Sequence, residues 1–212
     1  MGSGQEEVIM EPNKEDFFWN YYMSIEKDLY KTVEYVEPCI ENFKTYSQEY
    51  AKIINVACAE ADVIFKELCM LIDSTYKPDG KNENIDTYKK IILQRFPQIE
   101  ETWLSLDRAK IDIYPFKDWS KTGKLSWWKD YQKIKHERKD YYVKANLENA
   151  IYSVGALRIL ELYYMRTHSA SKNHLANKNG PFFRTIYTSE MLFLGNNSDL
   201  PDFVEECKKE KN

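Results

Sequence analysis

The sequence is poor in the residues that punctuate a chain. Seven glycines and seven prolines in 212 residues are too few for a turn-dense all-β fold, whose hairpins need residues that accept positive φ or fix it. Cysteine is scarce as well: Cys39, Cys58, Cys69 and Cys207 show no CxxC spacing. Cys58 and Cys69 fall about three turns apart on one predicted helix, too far to bridge. That usage argues against a disulfide framework or a zinc site and fits a reducing cytosol. No window approaches about 18 consecutive apolar residues, and Met1 to Glu7 shows no basic stretch ahead of an apolar one. The chain is therefore expected to be soluble and cytoplasmic, with no membrane partner. GxGxxG, P-loop, HExxH and GxSxG motifs are missing too, which leaves redox, P-loop NTPase, zincin and α/β-hydrolase readings without support. No cofactor and no metal is expected.

What is present points to helices. The chain is 43% hydrophobic and 30% charged, a balance that supports a folded, helix-rich protein rather than a disordered one. Its length allows one sizeable core. The expected organisation is a flexible N-terminal tail over residues 1–12, a helical bundle over 13–168 and a loop-rich C-terminal extension over 169–212. Aromatics make up 15% of the residues, with 16 Tyr against 10 Phe and 5 Trp, so many rings carry a polar tip suited to half-wet surfaces.

Hydrophobic spacing places the elements. Phe17, Tyr21, Ile25, Leu29 and Val33 recur at steps of four between Pro12 and Pro38, which predicts a first helix from about Asn13 to Val36. A seam from Ile40 through Phe43, Tyr46, Tyr50, Ile53, Ala57, Ala61, Ile64 and Leu68 to Leu71 predicts an unbroken second helix of roughly 50 Å. That helix carries Glu60, Asp62, Lys66 and Glu67. Glu60 sits at the edge of the apolar seam, where a charge is expected to pair with a partner on another helix. Lys77 to Asn82 reads as a turn, Ile85 to Phe96 as a short helix stopped by Pro97, and Trp103 to Trp119 as irregular or extended chain. Ser126 is the expected N-cap of a helix running from Trp127 to about Lys139. Leu147, Ile151, Val154, Leu157, Leu160 and Tyr164 mark the buried stripe of another from Lys144 to about Arg166. Two aromatic-rich stretches between Phe182 and Leu194 suggest a small hairpin. The fold class is thus all-α, an up-and-down bundle of four to five main helices with an irregular C-terminal extension.

Charge is distributed unevenly. Lys117 to Lys144 holds nine Lys or Arg against four acids, so a net of −4 overall, with +5 here, leaves −9 elsewhere. Such a stretch can focus a phosphate while the rest of the chain repels it, although a solvated helix face gives the same pattern. Within it stands the run Trp127-Trp128-Lys129-Asp130-Tyr131-Gln132-Lys133-Ile134-Lys135-His136-Glu137-Arg138-Lys139. On a helical wheel Trp128, Tyr131, Ile134 and Lys135 share one face, and Lys129, Gln132, Lys133 and His136 the other. His136 therefore projects among cations. Arg138 would lie about 200° round from it in one regular helix, so the two act together only if the helix ends there or a second chain supplies one of them. His168 and His174 have no third ligand at metal spacing and are taken as surface residues.

Trp127-Trp128, Tyr131-Gln132, Lys135-His136, Arg138 and Ala145-Asn146-Leu147-Glu148-Asn149 resemble the recurring pattern WWxxYNxxKHxR…ANLxN of bacterial proteins similar to the HEPN (higher eukaryotes and prokaryotes nucleotide-binding) superfamily. Asn55 to Asp73 resembles that group's upstream helix. The resemblance implies a bundle that dimerises and a metal-independent ribonuclease site where two copies of an Arg…His motif meet. It also implies a role as a toxin or in anti-phage, abortive-infection defence, with an antitoxin or defence protein as partner. His136 matches the family histidine and Gln132 the place of its usual Asn, while Tyr131 stands where its Arg would be. The residues so implicated are His136, Arg138 and Lys135 for catalysis, Lys129, Gln132, Lys133 and Tyr131 for RNA, and Glu60, Asp62 and Lys66 in support. Arg grips a phosphate with two parallel hydrogen bonds, a geometry Tyr does not reproduce. The alternative expectation is a non-catalytic helical module that binds RNA, a nucleotide or a partner protein.

Overall fold

The computed structural model describes residues 14–106, 109–168 and 185–187. The chain is mostly helical, and the helices gather round the last long one. That helix, α7 (Leu147–His168), buries every residue from Asn149 to Met165 except Tyr152. A helix without a wet side has to be covered on all faces. Here α1 (Lys14–Lys31), α2 (Gln48–Ile72) and α5 (Ser126–His136) supply the cover. The predicted stripe of α7 is buried in full, but it is one face of a helix whose other faces are buried too.

α1 runs on into a 3-10 turn, Thr32–Glu34, close to the predicted span. Its inward face differs from the prediction: Phe17 and Tyr21 are exposed, and Phe18, Tyr22, Ile25, Leu29 and Val33 are buried. The reason is geometric. Steps of four advance about 40° beyond a full turn, so residues 17 and 33 cannot share a stripe, whereas alternating threes and fours hold one.

α2 is shorter than the seam suggests. A 3-10 turn at Ile40–Asn42 runs into a further turn at Phe43 and Lys44 and a bridge at Tyr46, and α2 starts only at Gln48, where the Ser47 side chain accepts a hydrogen bond from Tyr50 N at 3.1 Å. The 25 residues of α2 span about 38 Å. A long-range contact outcompetes the helical spacing: Leu147 N donates to Thr45 O at 2.9 Å, Glu148 N to Phe43 O at 3.1 Å and Ser47 N to Ala145 O at 3.1 Å. Ile40 and Tyr46, assigned to the seam, consequently lie exposed.

The predicted turn between α2 and α3 (Ile85–Arg95) is present, and Asn84 caps α3 by accepting from Thr87 N at 3.0 Å. Tyr88 of α3 stacks on Phe65 of α2 at 5.1 Å, and Phe116, Trp119 and Trp128 meet the same ring within 6.3 Å. The stretch read as irregular or extended contains an antiparallel pair, β1 (Trp103–Leu106) and β2 (Ile111–Ile113), then a single turn, α4 (Trp119–Thr122). β3 (Thr185–Tyr187) pairs antiparallel with β1, opposite β2, giving the order β2-β1-β3. The fold is thus a helical bundle with a small sheet rather than purely α. Apart from β3, the stretch expected to hold a hairpin, together with most of the expected N- and C-terminal segments, lies outside the described residues. No described helix is long and apolar enough to cross a membrane.

Charge is buried between α1 and α7. Arg158 donates to the Tyr22 hydroxyl at 3.0 Å, lies 3.7 Å from Glu26 and sits 5.6 Å from the Trp19 ring centre. Burial of the Tyr22 hydroxyl, outweighing the pull of the Arg158 charge, raises its pKa well above the usual phenol range. Removing one member of a buried charge pair leaves the other's desolvation uncompensated.

Two substitutions test this core. Phe65→Ala is expected to cost about 3–5 kcal/mol in urea unfolding, because several rings lose their common neighbour. Arg158→Ala should cost a similar amount, on the order of 3–5 kcal/mol. A midpoint unchanged from the native protein would show that the site in question is not tightly packed.

Candidate functional site

α4 ends at Gly123, whose φ of 66° closes the turn in the left-handed region. A non-glycine residue there would be strained. α5 follows, with Leu125 at the cap position and Ser126, the expected N-cap, as the first helical residue. Its inward face is Trp127, Trp128, Tyr131 and Ile134, all buried. Trp127 donates its indole N–H to Pro115 O at 2.9 Å, and Trp128 meets Phe65 edge-on at 5.8 Å. The double tryptophan is a core anchor.

Tyr131, expected among the RNA-contacting residues, is only 5% exposed. Burial raises its hydroxyl pKa, partly opposed by the Lys135 ammonium, which lies 5.6 Å from the ring centre. A ring so placed holds Lys135 from beneath. Lys129, Lys135 and His136 are exposed, and Gln132 and Lys133 are half-buried. The predicted outward face is found, but Lys135, which the wheel placed with Trp128, Tyr131 and Ile134, is exposed and joins it. Lys133 places its ammonium 4.2 Å from the Tyr141 ring centre.

α5 was expected to reach Lys139, but it ends at His136. Glu137 takes φ −134° and ψ 39°, and its N–H closes the last turn on Lys133 O at 2.8 Å. A new turn, α6 (Arg138–Tyr141), starts at once, and Asp140 N and Tyr141 N both return to Glu137 O. The divergence of about 200° that a continuous helix would impose on His136 and Arg138 therefore does not apply. Part of the cationic density is accounted for by the helix itself, because Lys133, Lys135 and His136 occupy its last turn, where the macrodipole favours positive charge. Among the described residues, none hydrogen-bonds or ion-pairs with the His136 imidazole. Its ring is free to meet a ligand.

The other residues of the pattern serve the fold. Asn146 caps α7 by accepting from Asn149 N at 3.0 Å. Asn149 in turn donates to Asp130 at 3.1 Å and to Lys144 O at 2.9 Å, and Lys144 pairs with Asp130 at 3.2 Å. Asp130 belongs to α5 and Asn149 to α7, so this cluster fixes one helix against the other. The three residues expected to support the site do not contact His136. Lys66 lies between Asp62 at 2.7 Å and Glu83 at 2.8 Å, and Asp62 also accepts from the Tyr88 hydroxyl at 3.0 Å. That cluster ties α2 to α3 and the loop before it. Glu60 is buried, and the interhelical ion pair expected of it is not made with any described residue.

Beyond the predicted residues, the structure adds an aromatic group next to the basic one. Tyr142 and Tyr46 meet edge to face at 5.4 Å, and Tyr141 carries Lys133. The signal in the sequence is the Tyr141-Tyr142 doublet directly after the cationic run.

Glu60 provides a pH test. Burial raises its carboxyl above the reference value of 4.5. The folded chain thus binds a proton there that the unfolded chain has released. The associated stability is complete below the unfolded value and is lost as pH rises through the folded one. Glu60→Gln is expected to raise the thermal midpoint near neutral pH and to leave it unchanged below about pH 4. Equal midpoints at neutral pH would place the carboxylate in water instead.

No family model, no curated protein and no solved structure matches the chain, so its chemistry has to follow from the residues themselves.

Proposed function

We propose that this protein acts on RNA as a homodimer, as a metal-independent endoribonuclease of the HEPN type. The observation that carries the reading is His136, an exposed imidazole that no described residue engages, at the end of α5 among Lys129, Lys133, Lys135 and Arg138. In this reading one copy of His136 takes the proton from a ribose 2′-hydroxyl as the 2′-oxygen attacks phosphorus. The bond from phosphorus to the 5′-oxygen breaks, and His136 of a second copy, protonated, gives that oxygen its proton. Lys135, Arg138 and Lys129 stabilise the charge on the non-bridging oxygens, and Gln132 and Lys133 hold the strand. With His136 as the one histidine each chain brings to this site, the twofold partner is part of the mechanism. The wider role that goes with this reading, and with the sequence resemblance, is that of a toxin or an anti-phage defence protein.

A second reading has its own support. Tyr131, in the place of the family's Arg, is buried in the core, and no described residue orients His136. Both favour a helical module that binds RNA, a nucleotide or a partner protein without cutting.

The native protein is expected to cleave RNA in the presence of EDTA, leaving 2′,3′-cyclic phosphate and 5′-hydroxyl ends. His136→Ala should lower the rate by about a hundredfold or more. Cleavage equal in both proteins would refute His136 as the catalytic group. Salt-sensitive binding without cleavage, lost when Lys133 and Lys135 are reversed to Glu, would establish the binding module instead.

A further inference from the structure

We infer a nucleobase-stacking subsite made by Tyr46 and Tyr142 beside the basic end of α5, a conclusion that rests on RNA being the ligand. Tyr46 is 49% exposed and Val143 54%, so this corner presents apolar surface that the core does not bury. The ring of Tyr46 is nevertheless held in place. Its segment is fixed by the backbone bonds of Phe43, Thr45 and Ser47 to residues 145–148 and by the bridge from Tyr46 to Asn146. Its face is set by the edge-on contact with Tyr142 at 5.4 Å and 81°. Tyr142 is itself packed against the core. The pair is therefore a preformed platform, and a ligand stacking on it would lose little side-chain freedom of the protein.

Position and charge select the occupant. Tyr142 follows His136 by six residues, within roughly 22 Å along even a fully extended chain, and the exposed residues between are Glu137, Arg138, Lys139 and Asp140, two cations between two acids, beside Lys133 and Lys135 of α5. Lys133, before the break at Glu137, reaches the ring of Tyr141 beyond it at 4.2 Å, next to Tyr142 in the chain. An aromatic pair near exposed cations is the combination that binds an unpaired base and its phosphates together. An apolar peptide would use the rings but leave the cations unanswered. A duplex would use the cations but keep its bases stacked on each other. The subsite therefore takes an unpaired nucleobase of the strand whose phosphates lie along the α5–α6 cations.

Binding is read with the full chain and two labelled strands: a 2′-O-methyl oligoadenylate, which cannot be cut through its 2′-oxygen, and an abasic strand of equal length. Tyr46→Leu keeps an apolar side chain but removes the ring. It should weaken oligoadenylate binding roughly fivefold or more, as one lost stack does, and leave the abasic strand unaffected. Tyr46→Phe and Tyr46→Trp should bind oligoadenylate as the native protein does. Equal weakening of both strands, or no change in either, would overturn the subsite while leaving an RNA-binding role in place. No binding of either strand at low salt would remove the RNA reading and the subsite with it. Ring-dependent binding in a native protein that does not cleave RNA would uphold the subsite and refute only the catalytic reading.

Discussion

The bundle depends on one constraint: α7 has no side that faces water. A helix buried all round cannot be stabilised by one amphipathic contact and needs several neighbours at once. α2, α1 and α5 each supply one, and each is left with its remaining face to spend elsewhere. The same burial explains the charges inside. Once Arg158 lies on a helix with no exit to solvent, Glu26, Tyr22 and Trp19 of α1 are placed to answer it. The polar contacts between α1 and α7 follow from the geometry of enclosure.

α5 shows how enclosure and surface chemistry divide one short helix. Its aromatic face is used to cover the core, and Asp130 is held by Asn149 and Lys144. Lys129, Lys135 and His136 are left over, together with the chain that leaves the helix at Glu137. A helix so firmly seated holds its outer groups at a defined spacing, which a charged loop would not. The rings beneath the lysines add to this: Tyr131 lies under Lys135 and Tyr141 under Lys133, limiting the space through which two long cations can move.

What could be read from the sequence was local. The turn before α3, the buried Trp128, Tyr131 and Ile134 of α5 and the stripe of α7 follow from spacing within a dozen residues, and they are where they were expected. What could not be read depends on distant pairing. Nothing near Phe43 announces that residues 145–148 will take its backbone, so the seam through Ile40 and Tyr46 suggested one helix where the chain turns and then bridges. β1 and β3 meet across about eighty residues, and neither is long or apolar enough to stand out alone. The inward turn of α1 was legible but misread, because an unbroken step of four drifts round the helix. At the candidate site, the exposure of His136 was legible. The burial of Tyr131 was implied by the wheel, since it shares a face with Trp128 and Ile134. The ion pairs that occupy Asp62 and Lys66 involve Glu83, which no pattern connected to them.

The bridge between Tyr46 and Asn146 joins residues a hundred positions apart. Closing so long a loop carries an entropic cost that local contacts must meet first. The helices on either side have local starts, since Ser47 begins α2 and Asn146 begins α7 through their own side chains. The short segment between Phe43 and Ser47 has no such local support and acquires its shape only when the two helices dock. The tyrosine corner therefore exists only in the assembled bundle, as a product of the docking of α2 and α7.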